Sequence, residues 1–417
     1  MSQVSIPGFR NVPHTGVIYV IHRAAEHGYI AGDPEWINLG QGAPQTGALP
    51  GAPARIEQLN INPCHHEYGP VSGQMQLRQK VADLYNFLYR KDKPSQYSWE
   101  NVSISGGGRV ALTRIAATLG NINMGHFLPD YTAYEELLSI FKAFIPIPIL
   151  LEPDQFYQAP LDHIIKEITG RGLRALLMSN PCNPTGQLIM GEQLRRWVQL
   201  APAYNCSLIL DEFYSHYIYT DHNENTPPTL VSAAEYVEDV NVDPIIIVDG
   251  LTKNWRYPGW RISWTLAPKE VINAIASAGS FLDGGANNPF QSEVLQLLEP
   301  ERTLQEASAL QKYFLEKRNY TLDRLYNMGI KVEAEPQGTF YVWANLSGLP
   351  APLNDGIRFF EAGLKEKVIT VPGVFFDVNP EKRRTYARYS QYCRISFGPE
   401  MSALKNGLDA IERVIRQ

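Results

Sequence analysis

Short apolar runs alternate with amphipathic stretches through the middle of this chain. Residues 102–105 read as a strand and 110–119 as the helix that follows. Residues 126–129 read as the end of a strand, with a helix over 134–143. Further strands are expected at 175–179, 207–210 and 245–248, with a helix over 191–200. That rhythm predicts an α/β domain built on a mostly parallel sheet with helices on both faces. Ligands of such sheets sit at the carboxyl ends of the strands. Gly107, Asn183, Asp211 and Lys253 all fall at or just after such ends.

The pattern changes after Pro289. A long helical pattern runs to about Met328, followed by expected strands at 331–333 and 339–342. A helix near 357–366, a strand at 394–397 and a final helix over 402–415 complete it. This reads as a smaller α+β domain, against which residues 17–47 are expected to pack. The expected division is therefore an arm over 1–47 that forms part of the small domain, a large domain over 48–310, and a small domain over 311–417. Residues 221–228 are polar and proline-containing, which predicts a surface loop.

A length of 417 residues exceeds what one small core needs, which fits a large domain with a satellite. Apolar residues at 44 % and charged residues at 19 % are ordinary for a globular enzyme. The net charge of -6 argues against nucleic acid or an anionic membrane as a partner. No apolar run is long enough to suggest a membrane span, and residues 1–10 lack a basic-then-apolar leader pattern. Cys64, Cys182, Cys206 and Cys393 are widely spaced, which predicts unpaired thiols in a reducing cytoplasm and no metal site. Asn101-Val102-Ser103 and Asn205-Cys206-Ser207 match the glycosylation pattern and read as chance in that setting.

The chemistry centres on Asp249-Gly250-Leu251-Thr252-Lys253, with Arg261 further on. A lysine in a tight turn after an apolar strand can hold an aldehyde as an imine, provided its amine is partly neutral. Most lysines are only solvated charges, so the neighbouring motifs decide. Asn180-Pro181-Cys182-Asn183-Pro184-Thr185-Gly186 is a rigid turn that can simply stop a strand, or can present the Asn183 amide. Asp211 at a strand end can cap a helix, or can pair with a pyridine nitrogen and keep it protonated, with Tyr214 within range of the same ring. Gly106-Gly107-Gly108-Arg109 joins a strand to a helix and can cradle a phosphate, although tight turns need glycine anyway. It matches neither the nucleoside-triphosphate loop nor the dinucleotide fingerprint. Arg394 can grip a carboxylate with two parallel hydrogen bonds, or form a surface ion pair.

Taken together, these motifs resemble a fold-type I, pyridoxal phosphate-dependent enzyme of the class I/II aminotransferase family, over nearly the whole length. The resemblance implies a large domain on a seven-stranded sheet and pyridoxal 5′-phosphate as cofactor. It implies Lys253 as the Schiff-base lysine and proton shuttle, Asp211 at the pyridine nitrogen, and Tyr214 and Asn183 at the phenolic oxygen. Lys253, Asp211 and Tyr214 form the implied catalytic group. Tyr131, in Pro129-Asp130-Tyr131-Thr132-Ala133-Tyr134, takes the place of the aromatic that stacks on the ring. Gly107, Gly108, Arg109, Thr252 and Arg261 would hold the phosphate, and Tyr68 would reach the phosphate of a neighbouring subunit in a homodimer with shared sites. Arg394, Asn183 and the backbone near Gly42 would bind the substrate carboxylate. Transamination, racemisation and elimination all follow removal of the α-proton, and these motifs do not choose among them. A protein that kept the fold and lost catalysis is disfavoured by intact Lys253, Asp211 and Arg394.

Two departures bear on the substrate. Relatives often carry Ser or Thr three residues before the lysine, where this chain has Gly250, so one phosphate hydroxyl is missing. In dicarboxylate-specific relatives an arginine stands shortly before the equivalent of Asn288-Pro289, where this chain has Asp283. The inverted charge predicts a substrate with a distal cation such as guanidinium; the alternative is that Asp283 caps a turn before two glycines, or that the loop differs. Glu26, Glu67 and Asp130 are further acids expected near the mouth. The segments 250–261 and 279–285 also resemble enzymes that cyclise hydroxyarginines in specialised metabolism. The expectation is therefore an arginine-derived substrate and cyclodehydration, with ordinary transamination as the alternative.

Overall fold

The computed structural model describes residues 7–9, 12, 14, 16–220 and 226–417, so the loop expected at 221–228 lies mostly outside the described residues. Seven strands form the main sheet: β1 (Val102–Ser105), β2 (Asn123–Leu128), β3 (Ile145–Leu150), β4 (Leu173–Ser179), β5 (Ser207–Asp211), β6 (Ile245–Gly250) and β7 (Ser263–Leu266). Their spatial order is β1-β7-β6-β5-β4-β2-β3. Only β7 runs antiparallel to its neighbours; the remaining pairs are parallel. Central β6 is buried at every position, as a strand covered on both faces must be.

The helices are α1 (Gly16–Glu26), α2 (Met75–Tyr89), α3 (Gly108–Thr118), α4 (Ala133–Ile140), α5 (Leu161–Arg171), α6 (Gly191–Ala203), α7 (Lys269–Leu282), α8 (Asn288–Val294), α9 (Pro300–Asn327), α10 (Gly356–Lys365) and α11 (Met401–Arg416). None of the described helices is long and apolar enough to cross a membrane. A second, antiparallel sheet comprises β8 (Tyr341–Asn345), β9 (Val371–Pro372) and β10 (Tyr392–Ser396), with β10 in the middle. α11 buries Leu404, Leu408 and Ile411, a helical spacing on one face, and packs on α9, α10 and the Val368–Ile369 segment. The N-terminal segment joins it: Ile37–Asn38 pairs in parallel with Val368–Ile369, and the Ser396 N–H donates to the Leu39 carbonyl at 2.7 Å.

Several elements depart from the sequence reading, each for a physical reason. β3 reads Ile-Pro-Ile-Pro-Ile-Leu; its prolines hide the strand signal and are tolerated because it lies at the edge. The helical pattern after Pro289 breaks into α8, a short 3₁₀ turn over Leu295–Leu298, and α9, which Pro300 opens in its first turn. The expected boundary at 310 falls inside α9, which runs unbroken for 28 residues. Lys331 makes a single bridge to Asn345 where a strand was expected.

Candidate active site

The parallel sheet brings the turns after β1, β2, β4, β5 and β6 to one edge. These turns carry Gly107, Tyr131, Asn183 and Lys253, and Asp211 is the last residue of β5. Asn254, next to Lys253, donates to Asp249 at 3.0 and 3.1 Å and to Ser215 at 2.9 Å, and accepts from the His216 N–H at 3.1 Å. One buried amide thus ties the lysine turn to the segment after Asp211.

The Lys253 ammonium faces the Gly42 carbonyl. Burial and then the Arg394 and Arg261 guanidiniums push its pKa down to about 7, with Asp211 opposing and Arg109 adding to the fall. A substantial fraction of the amine is therefore neutral near pH 7. Asp211 is buried and accepts from the Tyr134 hydroxyl at 2.9 Å. Burial raises its carboxyl to about 6, against the pull of Tyr134, the Phe213 N–H and Lys253, so it is ionised at neutral pH. Asp130 sits behind this layer. It accepts from Ser179 Oγ at 2.5 Å and the Tyr131 N–H at 2.7 Å, and Ser179 Oγ in turn accepts from the Asn183 N–H at 3.1 Å.

Gly107 has φ of 98° and opens α3. A Cβ there would lie 2.0 Å from Arg261 Nη2, so only glycine admits the guanidinium. At Gly108 a Cβ would lie 2.5 Å from the Phe213 ring. Arg109 donates to the Tyr131 hydroxyl at 3.2 Å. Among the described residues neither Arg109 nor Arg261 has a carboxylate in ion-pair range. Two such guanidiniums at the amino end of a helix form a ready cradle for an anion. Thr252 is half-buried in the same turn as Lys253.

Arg394 approaches from β10. Its Nη1 donates to Asn183 Oδ1 at 2.8 Å and its Nη2 to the Gly40 carbonyl at 2.7 Å, while Nε is buried without a partner. The guanidinium lies 4.0 Å over the Tyr341 ring and 5.0 Å over Phe376. Tyr341 also shares a hydrogen bond with Tyr214 at 2.8 Å, and a Cβ at Gly42 would lie 2.9 Å from its hydroxyl. Tyr134, Tyr341 and Gly40 were not singled out from the sequence. Tyr134 stood in a quoted motif, but nothing local marks an aromatic on β8 as a partner of Tyr214.

The departures now have causes. At Gly250 a Cβ would lie 2.5 Å from Ser263 Cα and 2.6 Å from the Ile262 carbonyl, so the close pairing of β6 with β7 excludes serine or threonine. Asp283 ends α7 and is engaged inside the chain. Both its oxygens accept from the guanidinium of buried Arg114, one at 2.7 Å, and Oδ1 also accepts from the Gly285 N–H at 3.0 Å. Burial pulls its carboxyl up, but Arg114 and the Gly285 N–H outweigh this and hold it below the usual range. Asp283 is thus ion-paired with Arg114 and caps the turn at Gly285, the geometry of the turn-capping alternative. Glu26 pairs with Arg23, Glu67 offers its carbonyl to Asn288 at 3.2 Å, and Tyr68 stands 102 % exposed in the single chain.

The donor set fits pyridoxal 5′-phosphate. It offers a partly neutral lysine, a buried ionised aspartate near enough to act on that lysine, and a two-arginine anion cradle. The comparisons agree. The sequence profile of aminotransferase class I and II matches residues 34–411. The chain belongs to the class I and II aminotransferases. It is a pyridoxal phosphate-dependent enzyme of fold type I.

Similar proteins include an aspartate aminotransferase of Pyrococcus horikoshii, 26 % identical over 352 residues, covering 84 % of this chain and 83 % of that one. An aspartate/prephenate aminotransferase of Thermus thermophilus is 28 % identical over 337 residues, covering 79 % and 80 %. Among solved structures, a mutant aspartate aminotransferase of Thermus thermophilus superposes with a TM-score of 0.77 at 22 % identity, over 99 % of this aminotransferase and 100 % of that chain. An aromatic aminotransferase from Pyrococcus horikoshii superposes with a TM-score of 0.74 at 21 % identity, over 95 % and 98 %.

Proposed function

We propose that this enzyme is an ordinary aminotransferase, which converts an L-α-amino acid to its 2-keto acid and passes the amino group to a keto-acid acceptor. The observation that carries this reading is the shared backbone segment of Gly40 and Gly42. Arg394 donates to Gly40 and Lys253 to Gly42, so a carboxylate anchor and a neutralisable amine lie side by side. An α-amino acid carries its carboxylate and its α-proton on one carbon, which suits two such groups on neighbouring residues of one segment.

When bound, the cofactor supplies an aldehyde for the amino group and a conjugated ring that takes up negative charge from the α-carbon. Gly107, Gly108, Arg109, Thr252 and Arg261 would hold its phosphate, Asp211 its pyridine nitrogen, and Asn183 and Tyr214 its phenolic oxygen, with Tyr131 against the ring. Arg394 binds the substrate carboxylate, for which its free Nε and the Asn183 amide provide donors. Tyr341 and Phe376 shield the guanidinium from water and fix its plane. Lys253 Nζ, with a pKa of about 7, accepts the α-proton and can return it at another atom.

The same reading has the enzyme act as a homodimer. Tyr68, Ile61, Met75, Phe281 and Leu282 are all exposed in the single chain, and Asn288 donates to the Cys64 and Glu67 carbonyls. A second copy covering this face would bring Tyr68 to its neighbour's phosphate cradle.

Cyclodehydration of an arginine derivative has no support among the relatives, whose names are those of aminotransferases, and Asp283 is engaged by Arg114. Aspartate is the first donor to test, since it appears in several of those names. Purified enzyme with pyridoxal phosphate, given aspartate, glutamate, phenylalanine, arginine or hydroxyarginines with and without 2-oxoglutarate, is analysed by mass spectrometry. Amine loss that depends on the keto acid is expected. Loss of one water from hydroxyarginine without keto acid overturns the proposal.

A further inference from the structure

Away from the proposed cofactor site, the side chain of Lys317 is fully buried in α9 with no carboxylate in ion-pair range among the described residues. Its ammonium donates to the Gln45 side-chain oxygen at 3.0 Å and to the Pro399 carbonyl at 2.6 Å. It also lies 4.4 Å from the ring centres of both Tyr313 and Phe314. A methionine would fill the same space without removing a charge from water, which is costly when no counter-charge offsets it. What lysine adds, behind the direct contacts between these two chain segments, is one donor that both accept from.

Those two segments form the substrate-carboxylate side of the site. The Gln45 N–H donates to the Gly398 carbonyl at 2.9 Å, and its carbonyl accepts from Arg256 at 2.9 Å. Upstream on the same strap, Gly42 faces Lys253 and Gly40 accepts from Arg394. Pro399 follows β10, which carries Arg394. Lys317 thus donates to the two segments that carry the partners of the Arg394–Gly40 contact, without touching either partner. The groups around its ammonium are Glu400 at the start of α11, Glu316 on α9 and Arg256 after the lysine turn. Burial pushes its pKa down to about 7, with Glu400 and Glu316 pulling up and Arg256 pushing further down.

We propose that Lys317 is a positioning residue that holds the strap of residues 40–45 against the segment of residues 394–399, and so sets the affinity for the substrate's carboxylate. This rests on the aminotransferase reading for its kinetic consequence, but not for its structural one. Two variants of the cofactor-loaded enzyme test it: Lys317→Met, and Gln45→Leu, which removes the acceptor from a half-buried position and keeps the lysine. Each is expected to raise KM for the amino acid by roughly tenfold while leaving kcat within about twofold, as loss of one or two hydrogen bonds that act on binding would do. The double variant is expected to show less than the product of the two effects, because both remove one interaction. Amide exchange over residues 40–47, read by mass spectrometry, is expected to speed up in both variants. Unchanged exchange with unchanged KM overturns the proposal, as does a fall in kcat with KM preserved. If Lys317→Met does not fold, Gln45→Leu alone decides by the same criteria. If the wild-type enzyme transfers no amino group at all, the functional reading fails, and the exchange measurement still decides the role of Lys317.

Discussion

The proposed cofactor half of the site and its proposed carboxylate half are built in different ways. The cofactor half comes from turns at the ends of adjacent strands in one sheet, braced by buried polar groups such as Asp130 and Asn254. The carboxylate half joins groups far apart in the chain: Arg394 reaches Gly40 across 354 positions, and Lys317 reaches Gln45 across 272. The first half is as rigid as the sheet. The second depends on how the N-terminal strap and the small sheet dock, so single distant residues can tune it. Substitutions in the two halves therefore differ in what they disturb, the chemical step in one and binding in the other.

The largest effect is expected at the cofactor half. Lys253→Ala removes the group proposed to move the proton, and kcat for the amino-acid half-reaction is expected to fall by roughly a thousandfold or more. A smaller loss, in rapid-mixing kinetics, would remove the proton-shuttle role. At the carboxylate half, Arg394→Lys keeps the charge and loses the paired geometry. A rise in KM of about a hundredfold is expected, with a lesser change in kcat. Equal losses in kcat would erase the distinction between the halves.

Gly107→Ala places a methyl group in the space of the Arg261 guanidinium and strains a backbone with φ of 98°. Roughly tenfold weaker binding of pyridoxal phosphate is expected in a fluorescence titration, with the fold retained. The pH dependence of Lys253 is a gentler test. Its pKa is lowered to about 7, so the amine is protonated below that value and free above it. Competitive acylation of the cofactor-free protein should show Lys253 reactivity rising through about pH 7 and level well before ordinary lysines respond. The smallest functional effect is expected at Asp283. Asp283→Asn should leave the ratio of kcat/KM for arginine to that for aspartate within about twofold. It should also lower the thermal midpoint, because buried Arg114 loses a charged partner. A selective loss of arginine turnover would restore a substrate role for this carboxylate.

The sequence was most informative where chemistry is local. Strand-then-turn patterns put Gly107, Asn183, Asp211 and Lys253 at strand ends, and all of them lie along one edge of the sheet. Edge strand β3 was hidden by its prolines, and antiparallel β7 has no counterpart in the sequence reading. Asp283 shows the opposite limit. Counting from Asn288-Pro289 set its position relative to a family pattern, but its partner Arg114 lies 169 positions away, beyond any local signal.

By itself, the order of apolar and polar residues determined the α/β architecture, the strand-end lysine and the glycine-rich turn, because each depends on neighbours within a few residues. Only the tertiary structure decided what each charged group faces. It gave Asp211 a tyrosine donor, Asp283 an internal arginine and Lys317 acceptors on two distant segments. It also showed why position 250 is glycine, since the packing of β6 on β7 leaves no room for a Cβ. The physical reason is the same throughout. Hydrophobic periodicity is a short-range property of the chain, whereas the desolvation and pairing of a charge depend on whichever distant segment folding brings beside it.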